Sequence, residues 1–214
     1  CSFDCIYCEC GWNKDGKKDT TLPTKEEVFE AMSTRLHELS AEGTPVDTIT
    51  FSGNGEPTMH PAFSQIIDFT LQLRDKLYPS AKVSVLTNAS QLGKKEVRDA
   101  LQKIDNPILK IDSPLEHLVE AINIPNAAYK LKDAIENIKL FNHNFILQTM
   151  FLKGVENGVE IDCTCREHVE AWQNLVRELA PREVMMYTID RETPAKNLQK
   201  VSVEEMEAIA APLR

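Results

Sequence analysis

Apolar positions along this chain follow two spacings that take turns. From Thr24 to about Ala41 they recur three and four apart, with Val28, Met32, Leu36 and Leu39 sharing one face, as in a helix. Thr24 with Glu27 three residues on reads as the start of that helix, and Gly43 and Pro45 end it. Val46–Phe51 then alternates and is rich in β-branched residues, which predicts a strand. It stops at the turn Ser52-Gly53-Asn54-Gly55-Glu56-Pro57. Helical spacing returns from Pro61 to Leu77, through Phe63, Ile66, Ile67, Leu71 and Leu73. The exchange repeats with strands at Lys82–Thr87, Ile108–Asp112, Phe145–Phe151 and Glu183–Ile189. Between them lie helices at Lys94–Gln102, around Leu115–Ile122 and Ala127–Phe141, and at His168–Leu179, with a last one from Ser202.

Strands that alternate with helices call for a parallel sheet wrapped by helices. The pattern holds five strands and no shift of composition between them, which predicts one domain over residues 1–214. The chain opens on Cys1 with no element before it, so a further first strand is expected upstream and would make six. The residues with chemistry sit where strands end: Gly53–Glu56, Thr87-Asn88, Lys110 and Asp112, and Arg191. In a parallel α/β barrel those ends open on one face, where sites are built.

Composition narrows the class. With 42% hydrophobic and 27% charged residues the chain is of ordinary globular make-up. The net charge of −9 and the lack of a basic stripe argue against an extended nucleic-acid footprint while leaving room for a local basic patch. No stretch approaches the roughly 20 apolar residues that span a bilayer, and no signal peptide is visible, so no membrane partner and a cytoplasmic location are expected.

Of six cysteines, Cys1, Cys5, Cys8 and Cys10 fall within ten residues, far from Cys163 and Cys165. That clustering, without a secretion signal, points to metal binding in a reducing compartment rather than to disulfides. Thiolates are soft ligands for iron–sulfur clusters or zinc, and zinc sites usually present two close pairs. Cys1, Cys5 and Cys8 offer three thiolates on one tight loop, which leaves one iron of a four-iron cubane open to a small molecule. A zinc knot with Cys10 as fourth ligand is the structural alternative.

C-x3-C-x2-C with Tyr7 before the third cysteine resembles the signature of the radical S-adenosylmethionine (SAM) superfamily. The resemblance implies a partial (β/α)6 TIM-like barrel in which Cys1, Cys5 and Cys8 bind a [4Fe-4S] cluster. There the open iron chelates SAM, whose reductive cleavage yields a 5′-deoxyadenosyl radical that takes hydrogen from a substrate. It implies too that Tyr7 lies near the adenine and that a reductant such as flavodoxin or ferredoxin supplies the electron. Gly53, Asn54, Gly55 and Glu56 resemble the family's glycine–glycine–glutamate motif, with Asn54 where many members carry glycine; the small residues let backbone approach SAM and Glu56 accepts its ammonium group. Asn88 resembles the polar residue of the next strand end, which meets the methionine part or ribose, and Ala89 replaces a common glycine.

Lys110 and Asp112, two apart, share one face of a strand, where two charges must be paired or bound to ligand. They are candidates for SAM or substrate contact, with a structural ion pair as the alternative. Arg191 could face a carboxylate at the rim, His60 could line the cavity beside Glu56, and His37 and His168 are expected on helix surfaces. Cys163 and Cys165 read as structural thiols, the other possibility being an auxiliary cluster with Cys10. The Gly53–Thr58 turn, Gln148–Gly154 and Tyr187–Arg191 together are most similar to the wyosine-synthase-type, tRNA-modifying branch of the superfamily. Other substrates stay open. The same cysteine spacing serves activating enzymes that install a glycyl radical on a partner protein, and a zinc- or cluster-binding module without catalysis is a third class.

Overall fold

The computed structural model describes residues 1–13 and 22–214; within the polar stretch Gly11 to Thr21, predicted as a loop, 14–21 lie outside the described residues. The first helix, α1, spans Lys25–Ala41, and Thr24 and Glu27 cap it reciprocally. It lies at the periphery, with Leu36 buried and Phe29 stacked on Phe69 at 4.2 Å. There follow β1 (Thr48–Phe51), α2 (Phe63–Leu77), β2 (Lys82–Thr87), α3 (Lys95–Leu101), β3 (Asn106–Lys110), α4 (Glu116–Asn123), α5 (Leu131–Lys139) and β4 (Ile146–Met150). A hairpin of β5 (Leu152–Glu156) and β6 (Val159–Asp162) comes next, then α6 (Arg166–Leu179), β7 (Glu183–Tyr187), β8 (Leu198–Lys200) and α7 (Val203–Ala210).

Among the described residues β1, β2, β3, β4 and β7 form one sheet in that order, every pair parallel. Their carboxyl ends therefore share one face of the molecule. Trp172, Phe145, Phe151, Leu109, Leu147 and Ile67 fill the interior between sheet and helices. Trp172 donates to Thr149 Oγ1 at 3.0 Å, and Thr149 donates to Ile111 O at 2.7 Å, so the polar atoms of this layer are matched.

Three features depart from the sequence pattern. The third strand begins at Asn106 rather than Ile108, because Pro107 pairs only with β2 before the β4 ladder starts at Ile108, and its missing N–H costs nothing there. The predicted strand at Phe145–Phe151 is followed directly by the β5–β6 hairpin. That hairpin turns at Asn157-Gly158 with φ of +50° and +78°, and β5 pairs antiparallel with β6 and β8. Gly154 sits at φ +148°, and a Cβ there would stand 2.3 Å from Asn197 O. His168, expected on a helix surface, is fully buried: its ring meets Phe151 edge-on, with Nδ1 2.8 Å from Cys163 O and Nε2 3.3 Å from Asp112 O.

Candidate functional site

The thiol loop crosses the open ends of the strands. Its apolar and aromatic residues turn inward, with Phe3, Ile6 and Tyr7 buried, while Cys1 is exposed and Cys5 and Cys8 are partly so. Burying each of those side chains stabilises the loop by about 1.5–3 kcal/mol, so the thiols are displayed by packing rather than by chance. Backbone bonds fix its course: Asp4 N–H donates to Asn123 O at 3.0 Å, Ile6 N–H to Ile122 O at 2.9 Å, and Ala195 N–H to Ile6 O at 3.1 Å. Ser2 Oγ meets Ser90 Oγ at 2.7 Å, beyond β2.

Below the loop lies a hollow of about 480 Å³. Cys1, Cys5, Cys8 and Cys10 line it from above. Gly53, Gly55 and Glu56 follow β1, Asn88 follows β2, Lys110 ends β3 with Asp112 just beyond it, Gln148 and Met150 lie on β4, and Tyr187 ends β7 with Arg191 in the segment after it. Gly53 and Gly55 take φ of +122° and +135°, which a side chain rarely adopts. Asn54 and His60 line an adjoining hollow of about 440 Å³ on the far side of the same turn, where His60 Nε2 is bonded to Pro23 O at 2.8 Å.

Glu56 is buried and ties two strand ends together. Its Oε1 accepts from Thr58 N at 3.1 Å, from the Thr58 hydroxyl and from Thr87 Oγ1 at 2.6 Å, and its Oε2 accepts from Asn88 N at 2.7 Å. Asp112 gathers as many. The Tyr7 hydroxyl and Asn123 Nδ2 (2.6 Å) donate to one oxygen, Met150 N (2.9 Å) and Lys110 Nζ (2.8 Å) to the other. Lys110 also touches the Tyr187 hydroxyl and stands 4.9 and 4.6 Å from the centroids of the Tyr7 and Tyr187 rings. Lys110 and Asp112 thus form an ion pair at the hollow, the carboxylate buried and the ammonium partly so.

These neighbours set the acid–base character of the site. Burial pulls the Lys110 ammonium down, but Asp112 and Tyr187 outweigh it and hold the proton on. Burial and the Asp112 charge raise the Tyr7 phenol well above its usual value, so it stays protonated and donates. Burial, with Asp112, pushes the Cys5 thiol up to about 11, against an Asn123 hydrogen bond and the Lys110 charge. Metal ligation has to displace that proton.

The donor set suits an iron–sulfur cluster. All six cysteines are free thiols, and four of them, Cys1, Cys5, Cys8 and Cys10, face one hollow from a single loop. Among the described residues no three His, Cys, Asp or Glu side chains converge on one ion. Cys163 lies apart, in the core, where burial pushes its thiol up to about 12, and Cys165 precedes α6. Arg191 reaches the Glu9 carboxylate at 2.7 Å on the rim. Sequence reasoning missed Gln148, Tyr187 and Asn123. The first two sit in recognised strands, but which way they face is decided by the sheet, and Asn123 reads as an ordinary helix end.

The whole chain superposes on the protein described as anSMEcpe with bound AdoMet, with a TM-score of 0.65 and 18% identity, covering 56% of it. The fold is the partial α/β barrel of the radical SAM type. HydG, described as a maturase of the [FeFe]-hydrogenase, superposes on this barrel at a TM-score of 0.62 with 15% identity, over the whole chain and 47% of HydG. A domain of pyruvate-formate lyase-activating enzyme from Bacteroides vulgatus reaches 0.52 with 17% identity, over 77% of the chain and 91% of that domain. No family model matches the sequence. Curated relatives include a UPF0026 protein of Synechocystis sp., 29% identical over 94% of the chain and 69% of the relative. A UPF0026 protein of Methanocaldococcus jannaschii is 26% identical over 99% and 63%, and a protein named GTPase Obg from Brachyspira hyodysenteriae 26% identical over 97% and 29%. The chain thus spans between 29% and 69% of the length of these relatives.

Proposed function

We propose that this barrel is the catalytic domain of a radical SAM enzyme, with Cys1, Cys5 and Cys8 as the ligands of a [4Fe-4S] cluster. The observation that carries the reading is the display of those three thiols on a packed loop above the hollow that Gly53, Gly55, Glu56 and Asn88 also line. Held by Cys1, Cys5 and Cys8, such a cluster would supply the single electrons for reductive cleavage of SAM to a hydrogen-abstracting 5′-deoxyadenosyl radical. An external donor of the flavodoxin or ferredoxin kind provides those electrons, in a reducing, cytoplasmic setting.

The chain's own part is to bind, orient and exclude water. Four donors from Thr58, Thr87 and Asn88 fix the Glu56 carboxylate, which keeps a free lone pair on Oε2 for the ammonium of SAM. Gly53 and Gly55 bring backbone to the same ligand, with Asn54 holding the turn between them, while Asn88 takes the ribose or methionine part and Tyr7 the adenine. Lys110, held by Asp112, closes the floor with a protonated ammonium and, with Gln148 and Tyr187, forms the side facing the substrate. Within the superfamily, a tRNA substrate follows from the resemblance of the Gly53–Thr58 and Tyr187–Arg191 segments to the wyosine-synthase branch. A protein partner is the competing substrate class, the one named in the description of the Bacteroides vulgatus neighbour.

Anaerobic reconstitution with iron and sulfide tests the reading. The protein should gain brown visible absorption, and with dithionite and SAM it should release 5′-deoxyadenosine; Cys5→Ala should lose both. Faster release with tRNA supports the modifying branch. Zinc uptake without cleavage, or normal cluster assembly by Cys5→Ala, overturns the proposal.

A further inference from the structure

Asn123 stands at the end of α4 with a side chain that is 3% exposed. Its amide nitrogen lies 2.6 Å from Asp112 Oδ2, 3.2 Å from the Tyr7 hydroxyl and 3.4 Å from Cys5 Sγ. An amide nitrogen carries two hydrogens. The short bond to the Asp112 carboxylate takes one and fixes the plane of the group, which leaves the other for the sulfur and phenol side. The backbone of the same residue accepts from Asp4 N at 3.0 Å, and Ile122 O accepts from Ile6 N at 2.9 Å. The donor and the Cys5 sulfur are therefore held together by main-chain bonds on both sides of the cysteine.

Taking Cys1, Cys5 and Cys8 as the cluster ligands of the proposed function, we propose that Asn123 is a positioning residue that raises the cluster's reduction potential through its N–H···S bond to Cys5. Reduction brings one electron from a low-potential donor, which is itself oxidised, and makes or breaks no bond; the added negative charge spreads onto the ligand sulfurs. A donor aimed at such a sulfur stabilises the reduced form more than the oxidised one, and hydrogen bonds to sulfur are among the levers that set these potentials. At a buried position water does not replace a lost donor. The adjacent Asp112 charge would act in the opposite sense, but Lys110 Nζ at 2.8 Å compensates it. The contrast with Cys1 is internal to the molecule. Asn88 Nδ2 lies 3.8 Å from its sulfur, and that thiol is exposed, so solvent competes there.

Redox titration of the reconstituted clusters without SAM, followed by electron paramagnetic resonance of the reduced form, decides the matter. Asn123→Leu, close to asparagine in shape, and Asn123→Ala should each disfavour reduction about tenfold, a midpoint about 59 mV more negative for a one-electron couple. Asn88→Ala should move it by less than a third of that. A purely structural role for Asn123 would lower thermal stability and leave the midpoint alone. Midpoints equal to the parent's overturn the inference. So does failure of both Asn123 variants to assemble a cluster while they melt like the parent, since that assigns the residue to assembly. Failure of the parent to assemble one overturns the cluster reading itself, a separate result.

Discussion

His168 faces two carbonyl oxygens, those of Cys163 and Asp112, from a fully buried position. Both contacts favour the charged ring, yet burial dominates and holds its pKa below the usual value. The unfolded chain binds the proton more readily, so the stability tied to neutral His168 is complete above about pH 6.5. It is lost as pH falls from there towards the lower folded value, with a slope of at most about 1.4 kcal/mol per pH unit. Urea midpoints at pH 7 and pH 5 should therefore fall further for the parent than for His168→Gln. Equal falls would refute this assignment. Asp105 acts in a separate window: against burial, Val83 N–H, Arg74 and Lys82 hold its carboxyl down to about 2, so its contribution is lost only in stronger acid. None of this was legible for His168, since an amphipathic helix read alone does not say that its neighbour will be the underside of Asp112. Lys110 and Asp112 were legible as a problem in electrostatics, two charges on an apolar strand; only the fold says that they answer each other.

The β5–β6 hairpin and β8 form a second, antiparallel sheet beside the parallel one. Its seam is the passage of Asn197 over Gly154, where any Cβ would meet a carbonyl oxygen at 2.3 Å and φ is +148°. Backbone lies on both sides, so nothing flexible can give way. Gly154→Ala should destabilise the protein by about 3 kcal/mol, which lowers the melting temperature of a chain of this size by on the order of 6–12 °C. Gly158→Ala, in open space at the hairpin tip, should cost less. The five parallel strands were legible because β-branched runs alternate with helical spacing at a steady period. The hairpin was not, because Gly154 and the charges of Lys153, Glu156 and Glu160 hide its alternation; the Asn157-Gly158 pair was the one signal for it.

At the scale of the molecule, the thiols, the glycine-rich turn and Asn88 could be placed together from the sequence, since parallel strands bring their ends to one face. That Gln148 and Tyr187 join Lys110 and Asp112 there could not, because they gain meaning only from the register of β4 and β7. The thiol loop is bound to the end of α4 and to Ala195 only in the folded chain, so a cluster that grips it binds the native state in preference. Occupancy at about a hundred times the dissociation constant adds about 2.7 kcal/mol, and anaerobic melting should rise by on the order of 5–10 °C. Cys5→Ala should cancel the rise.

Among the described residues β1 and β7 each pair on one side only, so the strands make an arc rather than a ring. A ring sets its own diameter through strand number and shear; an arc has no such constraint. The thiol loop is tied on the β7 side, where Arg191 reaches the carboxylate of Glu9 at 2.7 Å, and on the β2 side, where Asn88 Nδ2 donates to Ser2 Oγ at 3.0 Å. Fastened on both sides, the loop carries its sulfur atoms with the strand ends, so a shift of either end is felt at the thiols.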